Sequence, residues 1–287
     1  MIIDIILISL GLAGTLVASV SDIKTREVPD WLNYSLIFSG FSLRLIYSIY
    51  SFRWSYFLYS LLGFGLMFIV GSILYYSKQW GGGDTKLFMA LGVLFSTNPS
   101  LINTKIPFLI LMMVNILIFG ALYGVIYGIV IALRNKKSFI KEFKTLNKDK
   151  VFNKLKLYLI ILAIPIFIIN FLLVDDVTTK IIIAFLTIPA ILYPYLIIFV
   201  KAVEKSGMYK KVPVSKLTEG DWVEQDVRIK GRLVYKQKKL GIEKKDIEKL
   251  IKYKIKSVLV KEGIPFVPPI FIGLLFSLII GRIIFLP

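Results

Sequence analysis

The sequence predicts an α-helical polytopic membrane protein with about eight transmembrane helices and a small α+β cytoplasmic domain before the last helix. The 287-residue chain is 56% hydrophobic, with a mean hydropathy of +0.75, which is too apolar for a soluble domain. Several apolar runs are long enough to cross a bilayer. Residues 201–262, in contrast, are rich in charged residues and show short strand-like patterns.

Eight apolar segments can be recognised along the chain. They cover residues 3–20, 31–50, 56–76, 85–95, 106–133, 157–174, 181–200 and 265–285. The fourth is too short to cross a hydrocarbon core of about 30 Å unaided, so either the membrane is thinned there or this helix is buried among its neighbours. The first carries Asp4 and lacks a basic flank, so we interpret it as a retained transmembrane helix and not a signal peptide. Gly63 and Gly65 in the third have spacings that let helices pack closely.

Basic residues orient these segments in the plasma membrane. Residues 134–156 hold nine Lys or Arg against two acids, and residues 201–262 hold 18 against nine, so together they contain 27 of the 36 basic residues. Both stretches are therefore expected to face the cytoplasm, and counting crossings places the loops after the first and third segments there too. The predicted divisions are a transmembrane core at 1–133, a basic cytoplasmic loop at 134–156, an additional transmembrane hairpin at 157–200, a cytoplasmic α+β domain at 201–262 and a C-terminal transmembrane helix at 263–287.

The small domain is predicted from alternating patterns. Strand patterns at 212–214, 217–223, 226–235 and 257–260 accompany an amphipathic helix pattern at 242–253. The Lys-rich helix is most simply a solvated face of mixed charge, and binding to anionic lipid headgroups is the weaker alternative. No nucleic-acid partner is predicted despite the net charge of +18, because the basic residues are not interleaved with a stacking platform.

The chain contains no cysteine and no histidine. This composition excludes disulfides, thiol nucleophiles, Ser-His triads, imidazole bases and haem ligation through either residue. Any catalysis must use carboxylates, Lys, Tyr or hydroxyl groups, and no cofactor or metal is predicted.

The stretch Gly81-Gly82-Gly83-Asp84 joins the third and fourth apolar segments. A carboxylate at a membrane boundary is costly to ionise, which makes Asp84 a candidate functional residue. Glycines can adopt positive φ and let another chain approach closely. The structural alternative is a flexible turn in which Asp84 caps the next helix.

A second acid, Asp22, follows the first apolar segment on the same predicted side. Pro29 stops a helix and Asp30 can cap the next one, so most of this loop has a structural explanation, whereas Asp22 has none. Two carboxylates close together in a partly dry site share one proton and so provide an acid and a base. Such a pair can activate water for attack on a peptide carbonyl without a metal, thiol or imidazole.

Both motifs resemble those of a known family. Residues 81–84 fit the Gly-x-Gly-Asp signature of intramembrane-type aspartyl proteases, and residues 22–30 are similar to the Asp-x3-Arg-x-Ile/Val-Pro-Asp/Asn loop of type IV prepilin peptidases. The combination, on loops separated by two apolar segments, resembles archaeal prepilin and preflagellin peptidases over residues 1–133. The region 206–262 and the final helix resemble the C-terminal extension of some archaeal members.

This resemblance implies that Asp22 and Asp84 are the catalytic pair of an aspartic endopeptidase. It further implies that Gly81, Gly82 and Gly83 shape the loop that receives the extended scissile peptide.

The implied substrates are membrane-inserted pilin-like or archaellin precursors with a short basic leader. Glu27 and Asp30 are candidates to attract that leader, although capping and solvation explain them equally well. The chain departs from bacterial members in lacking a four-cysteine domain, so methyltransferase activity is not expected, and it departs from six-helix archaeal preflagellin peptidases in its extra hairpin at 157–200.

Three other functions compete with this interpretation. A presenilin-like protease also carries Gly-x-Gly-Asp, but the 22–30 loop favours the prepilin type. A proton-coupled transporter could bind an ion at Asp22 and Asp84, although it predicts acids near the bilayer midplane. A non-enzymatic assembly scaffold would make both aspartates replaceable.

Overall fold

The computed structural model describes residues 2–77, 79–229, 231–238 and 241–283, and 72% of these residues are helical. The helices are α1 Ile2–Thr25, α2 Asp30–Tyr50, α3 Ser55–Tyr76, α4 Gly82–Leu94, α5 Phe108–Arg134, α6 Lys136–Asn147, α7 Lys150–Leu173, α8 Val177–Val203, α9 Lys244–Lys252 and α10 Val267–Ile280. The strands are β1 Tyr209–Pro213, β2 Trp222–Val223, β3 Val227–Ile229, β4 Arg232–Tyr235 and β5 Ser257–Lys261.

Five helices in the described part of the chain are long and apolar enough to cross a membrane, namely α1, α3, α5, α7 and α8, the last with its π-helical continuation to Met208. The predicted count of eight spans is therefore not confirmed, although each predicted segment coincides with a helix within the described residues; positions 284 and 285 of the eighth lie outside them. Polar side chains such as Asn33 and Arg44 interrupt the apolar run of α2. Helices α4 and α10 are simply short, with 13 and 14 residues.

The chain divides into two compact units, of which the first comprises the residues up to Ile126 together with those from Gly263 onward. Its core is built around α4, eight of whose 13 residues are buried. Helix α3 approaches α4 very closely, because a Cβ added at Gly63 would lie 2.2 Å from the carbonyl oxygen of Gly92. The packing role predicted for Gly63 is thus confirmed, whereas a Cβ at Gly65 would meet nothing within 4 Å.

Two buried polar side chains of α2 hold the two ends of α4. Asn33 donates from Nδ2 to the carbonyl oxygen of Gly83, at the start of α4, over 3.1 Å. Arg44 donates to the carbonyl oxygen of Leu94, the last residue of α4, over 2.7 Å, and to Oγ1 of Thr97 over 2.6 Å. Buried polar groups are costly unless they are hydrogen-bonded, so these contacts fix α4 along its length against α2.

The second unit, Tyr127–Glu262, contains a helix where a loop was predicted. The basic stretch 134–156 forms α6 and the start of α7. Phe139, Phe143 and Leu146 recur at helical spacing and pack in one apolar cluster with residues of α7 and α8, which explains why this charged stretch is ordered. Helices α7 and α8 pair as the predicted hairpin but extend beyond its predicted ends.

The same unit contains the small sheet region that the sequence predicts. Strands β1, β5 and β2 form an antiparallel sheet in that order, with Tyr209 opposite Lys261 and Pro213 opposite Ser257, and β3 pairs with β4. Leu250 of α9 is fully buried in the cluster beneath these strands.

Candidate active site

Asp22 lies in the last turn of α1 and is only 5% exposed. Its Oδ2 accepts a hydrogen bond of 2.9 Å from the backbone N–H of Val267, the first residue of α10. This bond gives Asp22 a structural role, which its local sequence does not indicate. The sequence gives no local sign of this contact, because the two residues are 245 positions apart.

Asp84 lies in the first turn of α4 and is half-buried. Its Oδ2 accepts a hydrogen bond of 3.0 Å from the backbone N–H of Gly81. Burial, reinforced by the negative charge of Asp22, raises the pKa of Asp84 to about 7, although the Gly81 N–H acts in the opposite direction. The fold thus brings the two aspartates close enough for the charge of Asp22 to act on Asp84.

The three glycines before Asp84 differ in what surrounds them. None of them has a positive φ, so the predicted left-handed backbone freedom is not used in this loop. Gly83 packs against the chain at Val28, where an added Cβ would lie 3.0 Å from the Val28 Cβ and 3.3 Å from its backbone nitrogen and oxygen. Gly81 and Gly82 are exposed, and an added Cβ on either would meet other atoms only at 3.4 Å or beyond. Close approach within the protein therefore explains Gly83, and the open side of the loop is at Gly81 and Gly82.

The two acids predicted to attract a basic leader have different surroundings. Asp30 is the first residue of α2, and its Oδ1 pairs at 2.6 Å with Nζ of Lys86 on α4. Lys86 also lies 5.3 Å from the centroid of the Tyr34 ring. Asp30 is thus held by a cation of the protein, whereas Glu27 is exposed in the link between α1 and α2.

Several residues that support the aspartates were missed by the sequence analysis. Asn33 fixes the Gly83 carbonyl, as described above. The hydroxyl of Thr85 donates to the carbonyl oxygen of Gly81 over 3.0 Å. Trp80 is 3% exposed and makes an edge contact with Phe88, with ring centroids 4.8 Å apart. Of these, Trp80 offered a signal, because it is a large apolar side chain directly before the three glycines.

Comparisons with known proteins agree with the location of both motifs. Residues 9–132 match the type IV leader peptidase family. The chain is 31% identical to the preflagellin peptidase of Methanococcus voltae over 86 residues, and 33% identical to that of Methanocaldococcus jannaschii over 84 residues, which is 30% and 29% of this chain. It is 29% identical over 103 residues, 36% of this chain, to the prepilin peptidase EppA of Methanothermobacter thermautotrophicus.

These matches cover 36% of each of the two preflagellin peptidases and 27% of the prepilin peptidase. No solved structure matches the chain. The matched region contains Asp22, Asp84 and the loops that carry them. The resemblance to archaeal type IV leader peptidases drawn from the two aspartate motifs is therefore confirmed for residues 9–132.

Proposed function

We propose that this protein is an aspartic endopeptidase that removes the short basic leader from membrane-inserted pilin-like or archaellin precursors at the cytoplasmic face of the plasma membrane. The observation that carries the proposal is the packing of Val28, from the loop after Asp22, against Gly83, next to Asp84, within a region that matches the leader peptidase family. The basic stretches 134–156 and 201–262 support a cytoplasmic position for the site. On this proposal α2, α4 and α10 complete a membrane-embedded set of eight helices with the five long ones.

The two aspartates take different roles in the proposed reaction. Asp84 holds the shared proton, because its pKa of about 7 keeps it protonated in mildly acidic solution and about half protonated at neutral pH. Asp22 is the charged partner: burial opposes its ionisation, but the N–H of Val267 and the positive charge of Arg26 both stabilise its carboxylate. The pair thus supplies one acid and one base in the same site.

Each proton in the reaction has a defined destination. Asp22 takes a proton from water as the water oxygen attacks the scissile carbonyl carbon, and Asp84 gives its proton to the developing oxyanion, which produces a geminal diol. Asp22 then returns its proton to the amide nitrogen, the C–N bond breaks, and a diol hydroxyl gives its proton back to Asp84. The products are a carboxylic acid and an amine, and both aspartates regain their starting states.

The surroundings of the pair suggest how the substrate is held. An extended scissile peptide would lie along the exposed side of Gly81 and Gly82, where the loop carries no side chains. Glu27 is the better placed of the two candidate acids to attract a leader Lys or Arg, because the charge of Asp30 is already met by Lys86.

The test is cleavage of a tagged pilin-like or archaellin-like precursor in membranes. We expect Asp22→Asn and Asp84→Asn each to lower the rate by about 10²- to 10⁴-fold, because Asn keeps the shape but cannot exchange a proton. The rate of the unaltered chain should also fall as the pH rises through about 7, where Asp84 loses its proton.

Asp4→Asn provides the matched control. Asp4 lies in α1, as Asp22 does, but at the opposite end of that helix, where its carboxylate accepts a hydrogen bond from the hydroxyl of Ser100. This variant should cleave at nearly the unaltered rate, and all variants must accumulate in the membrane. A near-normal rate for either site variant would remove that aspartate from the mechanism. If the unaltered chain cuts neither precursor, the transporter and scaffold alternatives return.

A further inference from the structure

The beginning of α10 touches both segments that carry the aspartates. The N–H of Val267 donates to Asp22. The ring centroid of Phe266 lies 5.4 Å from that of Trp80, the residue directly before the glycine loop. Val267 is fully buried and Trp80 nearly so. Two consecutive residues of this segment therefore bridge the end of α1 and the loop that leads to Asp84.

Helix α10 is fixed along its length, so this bridge is held in place. Asn115 of α5 donates from Nδ2 to Oγ of Ser277 and to the carbonyl oxygen of Arg282, each over 3.0 Å. A Cβ at Gly273 would lie 2.7 Å from the Cα of Ile116, so α10 and α5 are in close backbone contact there. These contacts prevent α10 from sliding relative to α5.

The ring of Phe266 packs directly on the backbone of α5 at Gly120. A Cβ added at Gly120 would lie 2.3 Å from Cζ of Phe266. The ring is consequently confined between α5 and Trp80 and cannot move away from the glycine loop without unpacking.

The amide of Val267 is well suited to hold a carboxylate. The first backbone N–H groups of a helix have no partner within the helix, and the next two residues, Pro268 and Pro269, have no N–H at all. Among the first three residues of α10, Val267 alone can donate, and its donor is directed at Asp22. The buried donor and the buried carboxylate satisfy each other, and the bond favours the charged form of Asp22.

We propose that Phe266 and Val267 are positioning residues of the active site, with Val267 holding the Asp22 carboxylate through its backbone N–H and Phe266 holding the Trp80–Asp84 loop through its ring. This inference rests on the proposed function. It extends the site beyond residues 9–132, the part that matches the family, to a helix at the other end of the chain.

The backbone contact can be tested with two substitutions at one position. Val267→Pro removes the N–H, although it also disfavours the ψ of −7° that Phe266 adopts directly before it. Val267→Ala keeps the N–H and removes side-chain packing. The readout is labelling of Asp22 by a hydrophobic carbodiimide, which reacts with protonated carboxyl groups, measured by mass spectrometry across a pH series in the purified full chain.

In Val267→Pro the midpoint of Asp22 labelling should move upward by about one pH unit or more, since the charged carboxylate loses a hydrogen bond that its protonated form needs less. Val267→Ala should keep the midpoint of the unaltered chain. In the cleavage assay, the acidic limb of the pH–rate profile should move with the labelling midpoint. Equal midpoints in the Pro and Ala variants would overturn the role of Val267.

Phe266 is tested separately, so that the inference does not depend on the folding of the proline variant. Phe266→Ala should lower kcat by about 10- to 100-fold with little change in KM, because the loop is displaced from Asp22, and Phe266→Leu should restore most of the rate. Equal loss of rate and of folded protein in both variants would reduce Phe266 to a packing residue. If the labelling midpoint shifts but no chain cuts a precursor, the contact stands and the proposed peptidase function fails.

Discussion

Helices α4 and α7 are both strongly apolar, but their side chains have different surroundings. Eight of the 13 residues of α4 are buried, whereas three of the 24 residues of α7 are. At 1.5 Å per residue α4 is about 20 Å long and α7 about 36 Å, so only α7 exceeds a hydrocarbon core of about 30 Å. The apolar side chains of α4 pack on protein and those of α7 face outward, a distinction that hydropathy does not make.

The largest expected difference between the two helices concerns leucines. Leu91 in α4 is fully buried and Leu162 in α7 is 64% exposed. Leu91→Ala should lower the free energy of unfolding by about 2–5 kcal/mol, because it removes buried methyl groups and leaves a cavity. Leu162→Ala should change it by less than about 0.5 kcal/mol.

Thermal or denaturant unfolding in one detergent provides the measurement. Comparable losses in both variants would mean that the outward face of α7 is covered by protein, and the contrast between the helices would be lost.

A smaller effect is expected at the glycines of α3, the helix that packs on α4. Gly63→Ala forces a Cβ to 2.2 Å from the Gly92 carbonyl oxygen and should cost about 1–3 kcal/mol through overpacking. Gly65→Ala places its Cβ in open space and should be neutral or stabilising by up to about 1 kcal/mol, through helix propensity. The same unfolding measurement checks both variants. An unchanged free energy of unfolding in Gly63→Ala would show that α3 and α4 can move apart without loss of stability.

The smallest effect is expected at the surface of α4. The Lys86–Asp30 pair has side chains that are 33% and 61% exposed, so a double-mutant cycle with Lys86→Gln and Asp30→Asn should give a coupling of about 0–1 kcal/mol that shrinks in salt. A salt-independent coupling well above that value would indicate that the pair is shielded from water. In that case α4 would be enclosed on its Lys86 side as well.

Local patterns in the sequence were sufficient for the helical segments and for the two aspartate motifs. Each apolar run coincides with a helix, because a bilayer-length run of apolar residues has few other stable forms. The stretch 134–156 was predicted as a loop because of its many charged residues. The helical spacing of Phe139, Phe143 and Leu146, which pack in an apolar cluster, indicates the helix that the structure shows. The predicted number of eight spans is not confirmed, because apolar composition alone does not distinguish short buried helices from long exposed ones.

The candidate site was less accessible to sequence reasoning because its supports come from distant positions. The residues around Asp22 do not indicate that its hydrogen-bond donor lies on α10. The residues around Gly83 likewise do not indicate that its carbonyl oxygen is bound by Asn33. Asp30 could equally have been a cap or a substrate contact until Lys86 was found beside it. Pairings between elements depend on tertiary packing, which a single sequence does not specify.

The bond between Asp22 and Val267 also has a consequence for biosynthesis. The two residues are separated by 245 positions, and at about 5–20 residues per second a ribosome needs about 12–49 s to travel from one to the other. During that interval the first aspartate already exists without its donor. If the site needs α10, as proposed, it would therefore stay inactive until α10 had been made and had docked beside Asp22.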